Sequence, residues 1–99
     1  MEELIIKAIK NKNISQFIYD DKLRIVEPHV FGTSTKVNSS DLLRAYQVMG
    51  GSNSDNDLGW RLFSIDKIDD ISLSENTFDV ARKYYNPDDS AMEEIYINI

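Results

Sequence analysis

Ninety-nine residues with seventeen acidic against eleven basic side chains, a net charge of −6, make one domain around one modest core. That balance excludes broad, sequence-independent binding to duplex nucleic acid, which needs many phosphates neutralised, but leaves room for a small positive site focused within a negative field. Without cysteine there is no disulfide framework, thiolate metal site or cysteine nucleophile, and no apolar run reaches the ~20 residues of a membrane helix, so a reducing, cytoplasmic setting is expected.

In chain order, residues 2–12 predict a short amphipathic helix. Leu4, Ile5, Ala8 and Ile9 share one face, Glu2 and Glu3 suit the positive N-terminal end, and Lys10 and Lys12 suit the C-terminal end. Asn11 or Asn13 is expected in the left-handed closing position. Ile14–Tyr19 and Leu23–Phe31, rich in β-branched and aromatic residues, predict a hairpin turning at Asp20-Asp21-Lys22. Pro28 lacks an N–H and places a bulge, an edge or a strand end near it. Gly32–Ser40 reads as a polar loop and Leu42–Met49 as a third strand, followed by GGSNSDNDLG, a flexible hairpin connection. Trp60–Ile65 and Ile68–Leu73 complete five strands, with a bend from Asp66 to Asp70. Thr77–Tyr85 predicts a turn of helix packed on the sheet. Pro87 then breaks the chain, Asp88 or Ser90 caps a short helical turn, and the alternating Ile95, Ile97 and Ile99 predict a last strand. Several short strands joined by turns predict a mainly β fold, a small curled antiparallel sheet or barrel spanning 1–99 as one domain, the leading helix at 1–13 and the β part at 14–99.

Arg24, Arg44 and Arg61 sit inside the apolar strands, where a charge is costly unless paired or used to bind something. Alternation puts Arg24, Val26 and Pro28 on one face and Leu23, Ile25 and His29 on the other. Leu42, Arg44, Tyr46 and Val48 share a face, as do Arg61, Phe63 and Ile65. Arginine and tyrosine on a common face suit a phosphate and a stacked ring. Equally, the arginines can pair across strands with Glu27, Asp41 or Asp66. His29 has no second histidine or cysteine to complete a zinc site. Asn53, Asp55 and Asp57 alternate as in a calcium loop, but Leu58 stands where the tight turn needs glycine and Ser64 where the bidentate glutamate belongs. No nucleophile motif or phosphate-cradling glycine loop is present, so no enzyme, metal or cofactor is expected.

The order RIVEPHVFG, LLRAYQV, GWRLFSIDKIDDISL, then Phe78 and Tyr85-Asn86-Pro87, resembles the WYL domain in its stand-alone form, from about Ile14 onward. The family's naming Trp-Tyr-Leu tripeptide is absent, Asp41-Leu42-Leu43 standing in its place, and Ser64 occupies a position where the family often has a second basic residue. The resemblance implies an Sm-like, SH3-type small β-barrel that works as a ligand-sensing or nucleic-acid-binding regulatory module of bacterial or phage type. Single-stranded nucleic acid or a nucleotide is then the implied partner. It also implies a polar wall of Arg24, Tyr46, Arg61 and Lys67 with Phe63 beside them, to which the residues themselves add His29 and Arg44. The expectation is a non-catalytic module with a basic–aromatic pocket for an anionic ligand. The alternative is a protein–protein interaction module, accessory or phage-encoded, whose strand arginines are structural.

Overall fold

A computed structural model describes residues 1–50 and 58–99; the expected 51–57 connection and the Asn53, Asp55 and Asp57 positions lie outside the described residues. The leading helix α1 spans Glu2–Asn11 and buries Ile5, Ala8 and Ile9, whereas Leu4 is turned to solvent. Leu4 and Ile5 N–H both donate to Met1 O, and no side chain caps the helix start. The closing left-handed residue is Lys12, at φ 54°, rather than Asn11 or Asn13; its N–H donates to Ala8 O and Ile9 O. Asn13 is instead drawn into the first strand, where its side chain donates to Ser74 O at 3.1 Å.

Strands β1 (Asn13–Tyr19) and β2 (Lys22–Ser34) form the expected hairpin, pairing Tyr19 with Lys22. Asp20 and Asp21 both have positive φ, 52° and 61°, as a two-residue turn matched to strand twist demands, and aspartate tolerates that conformation. The antiparallel sheet continues through β3 (Leu42–Gly50), β4 (Gly59–Ser64), β5 (Asp69–Thr77) and β6 (Met92–Asn98), with a single 3-10 turn at Ile65–Lys67 between β4 and β5. The strand order is β4-β3-β2-β1-β5, and β6 pairs with the second half of β2 on the edge that β1 leaves vacant. The sheet curls but is not closed: β4 and β5 are the ends of its path, so its pairing among the described residues is that of an open antiparallel sheet. Among these residues no helix is long and apolar enough to cross a membrane.

Three local expectations are corrected. β2 runs to Ser34, past Phe31, because β6 pairs along Val30–Ser34. Gly32 permits that pairing, since a Cβ there would run into the backbone carbonyl of Glu94. β5 extends to Thr77, which pairs with Asn13. Residues 78–91 are bends and turns, not helix. The segment satisfies backbone groups against the rest of the fold instead: Phe78 N–H reaches Lys12 O, and Lys83 O accepts from the Trp60 indole. After Pro87 a turn does form, but Asp89 closes it, its carboxylate accepting from Ala91 N–H and its carbonyl from Met92 N–H.

One face of the sheet folds over α1 to enclose Phe17, Val26, Phe31, Leu43, Ala45 and Phe63 with Ile5 and Ile9. Phe17 and Phe63 meet edge to face at 4.9 Å, and Tyr19 packs on Phe63 at the same distance. The opposite face of β2–β4 is covered by residues 78–91, under which Val30, Leu42 and Met92 form a second cluster. β2 is thereby buried on both sides. Gly32→Ala is expected to destabilise the protein by about 1–3 kcal/mol through overpacking at the β2–β6 contact, read as a lower urea midpoint at unchanged m-value.

Candidate functional site

The site residues expected from sequence divide between the two faces of the sheet. Ala45 pairs with Arg61, and Ala45 is a core residue, so Arg61 and Phe63 project inward. Arg24 shares that side with Val26 and with the buried Gln47. On the other side, Tyr46 pairs with Glu27 and with Trp60, placing it with Arg44 under the 78–91 segment. Lys67 is exposed on the 3-10 turn between β4 and β5.

The inward group borders an open recess of about 270 Å³ lined by Tyr19, Asp20, Arg24, Arg61, Leu62 and Phe63. Arg24 is 7% exposed, and among the described residues its hydrogen bonds go to neutral oxygens: Nη1 to Gln47 Oε1 and Nη2 to Tyr19 O, both at a long 3.3 Å. Its guanidinium carbon lies 5.8 Å from the centre of the Tyr19 ring. Arg24 Nε and Gln47 Nε2 are buried donors without an acceptor among the described residues. Gly50, paired with Arg24, leaves room for the Gln47 amide, which a Cβ would strike. Within the described residues this buried cation is held by two weak neutral hydrogen bonds, which leave it electrostatically under-compensated. Phe63 is buried edge-on against Tyr19, so the half-exposed Tyr19 is the aromatic wall of this recess.

The outward group is self-satisfied. Arg44 makes a two-pronged pair with Asp89, at 2.7 and 3.2 Å, and Glu27 makes another with Arg82, at 2.6 and 3.0 Å. The Arg82 guanidinium lies 4.6 Å above the Tyr46 ring, taking the face that a ligand ring would use. His29 has no accessible surface. It stacks on Phe78 at 5.1 Å, meets Trp60 at 4.7 Å and lies 5.4 Å from Tyr85. Burial of Asp89 favours its neutral form, but hydrogen bonds from Arg44 and Ala91 and the Arg44 charge outweigh this and hold its carboxyl below the usual 3.8. Among the described residues no cluster of three or more His, Asp or Glu side chains is placed to hold a metal ion.

The arginine–carboxylate pairs therefore differ from those the sequence suggested: Arg44 finds Asp89 rather than Asp41 or Asp66, and Glu27 finds Arg82. Gln47, Tyr19, Arg82 and Asp89 all shape these sites without having stood out in the sequence. Tyr19 and Gln47 carried one signal, aromatic or polar character on strands beside Arg24, whereas Arg82 and Asp89 lie outside any strand and carried none.

No protein-family model matches the chain, and neither a curated protein nor a solved structure matches it.

A double-mutant cycle of Arg44→Ala and Asp89→Ala is expected to give a coupling of about 0.5–3 kcal/mol in unfolding free energy. Because folding lowers the Asp89 pKa, this contribution is full above 3.8 and disappears as pH falls through the folded value. Repeating the cycle under acid checks the sign.

Proposed function

We propose that the chain is a WYL-like, non-catalytic regulatory module of the cytoplasm whose recess between β1, β2 and β4 receives an anionic group of single-stranded nucleic acid or a nucleotide. In this reading the curled open sheet is a variant of the small Sm-like, SH3-type barrel. The observation that carries the reading is Arg24, a cation 7% exposed whose partners among the described residues are all neutral, at the wall of an open recess. An incoming phosphate oxygen supplies the compensation that the fold omits, in surroundings where screening is weak. Arg61, on the same recess, adds a second positive group, and Tyr19 offers a ring beside them. Arg44 and Tyr46 belong to the opposite face and serve the fold, as does the buried His29.

Binding of short single-stranded oligonucleotides or nucleotides is expected to fall steeply with added salt, and Arg61→Ala is expected to cost about 1–3 kcal/mol of that binding. Arg24→Met is the sharper test. Removing an under-compensated buried charge should leave the urea midpoint unchanged or raise it, while binding is lost. A titration that finds no salt-sensitive ligand in these two classes sinks the reading.

A second reading, a protein-interaction module with structural arginines, draws support from the Arg44–Asp89 and Glu27–Arg82 pairs, which need no ligand. Under it, Arg24→Met leaves partner binding intact, and no anion competes for the recess.

A further inference from the structure

Residues 78–91 lie on the sheet as a strap with no ladder of their own, and one of their ties passes through the single histidine. His29 Nδ1 is 2.7 Å from Glu27 O, and the Arg82 N–H donates to Nε2 at 3.2 Å. Since Nε2 accepts, the proton is on Nδ1, donated to the Glu27 carbonyl, and the ring is neutral. Every element around the ring contributes a constraint. From β2 comes Glu27, whose carboxylate is clasped by the Arg82 guanidinium of the strap; from β4 comes the Trp60 ring; from the strap come Phe78 and Tyr85. Ile99 N–H donates to His29 O, and Ile99 O accepts from the Tyr85 hydroxyl.

We propose that the strap is an acid-released latch with His29 Nε2 as its catch: protonation turns the acceptor of the Arg82 N–H into a donor, so the strap backbone at Arg82 and Lys83 lifts from β2 and β4 and uncovers Trp60 while the inner core stays folded. Two donors then face each other across 3.2 Å, one of them on a ring with no accessible surface. Burial, aided by the Arg82 charge, keeps the His29 pKa below 6.5 against the opposing pull of the Glu27 carbonyl and carboxylate. With the closed-state value below the open one, the latch is at full strength above about 6.5 and weakens as pH falls below it. Asp89 stays ionised throughout that range, its carboxyl held below 3.8, so the Arg44–Asp89 tie persists and release begins at the Arg82 end. This inference does not depend on the anion recess, which opens on the opposite face.

The test uses the whole chain between about pH 7.5 and about pH 5, a range in which His is the side chain that ordinarily titrates. Three signals are followed together: emission of Trp60, the single tryptophan; Arg82 and Tyr85 amide exchange by NMR; and the His29 ring resonances. Trp60 emission should shift to the red, and Arg82 protection should fall by up to about tenfold per pH unit, with a midpoint matching the His29 titration and an unchanged far-UV sheet signal. His29→Gln places an amide oxygen toward Arg82 and an amide N–H toward Glu27 but does not titrate, so its emission should stay flat. If that variant does not fold, agreement of the three wild-type midpoints decides. Unchanged emission and Arg82 protection down to about pH 5, loss of the sheet signal at the same midpoint, or the same transition in a folded His29→Gln protein would overturn the latch.

Discussion

The long strand β2 is covered on both faces, by α1 and the inner core on one side and by residues 78–91 on the other, yet it carries Arg24, Glu27 and His29 in its middle. A strand in that position has no water to satisfy polar side chains, so each must be met by a group from elsewhere in the fold. Much of the architecture follows from meeting them. Glu27 brings in Arg82, His29 brings in the Arg82 backbone, and Arg24 brings in Gln47 and the Tyr19 carbonyl. The ladder with β3 shifts between Pro28 and Val30, so His29 is an extra residue bulged against the strap, while Phe31 returns to the inner core opposite Leu43.

The two faces treat charge differently. On the strap side, each guanidinium meets a carboxylate in a two-pronged geometry, which is the arrangement that offsets desolvation. These pairs fasten a segment that has little regular hydrogen bonding. On the inner side, Arg24 is more deeply buried than either of those arginines but is held, among the described residues, by neutral oxygens at 3.3 Å, with its own Nε and Gln47 Nε2 left over. Such a group weakens the fold unless it serves something, which is why the recess beside it, rather than the strap side, is the place to look for a ligand.

Much of the outline was legible because it is governed by local rules. The helix follows from periodic apolar residues flanked by suitable charges, the β1–β2 turn from two aspartates tolerant of positive φ, and the bulge near Pro28 from a missing N–H. The membership of a common site was not legible. Alternation gives the parity of a residue within its own strand, but which parity faces the core depends on register with the neighbouring strands. Here that register put Arg24 and Arg61 inward and Arg44 and Tyr46 outward. The run from Phe78 to Asp89 misled for a related reason: its aromatics resemble a helical face, but their partners lie on β2 and β4, dozens of residues earlier.

By itself, then, the sequence determined the antiparallel β character, the leading helix, the hairpin and the presence of charged residues inside apolar strands, since each of these rests on contacts between near neighbours in the chain. Tertiary structure alone decided which of those charges are matched. Arg44 is paired because the strap delivers Asp89 across 45 positions, whereas among the described residues no carboxylate is brought to hydrogen-bond Arg24. Charge compensation in a folded protein depends on distance through space, and for these residues separation along the chain gave no measure of it.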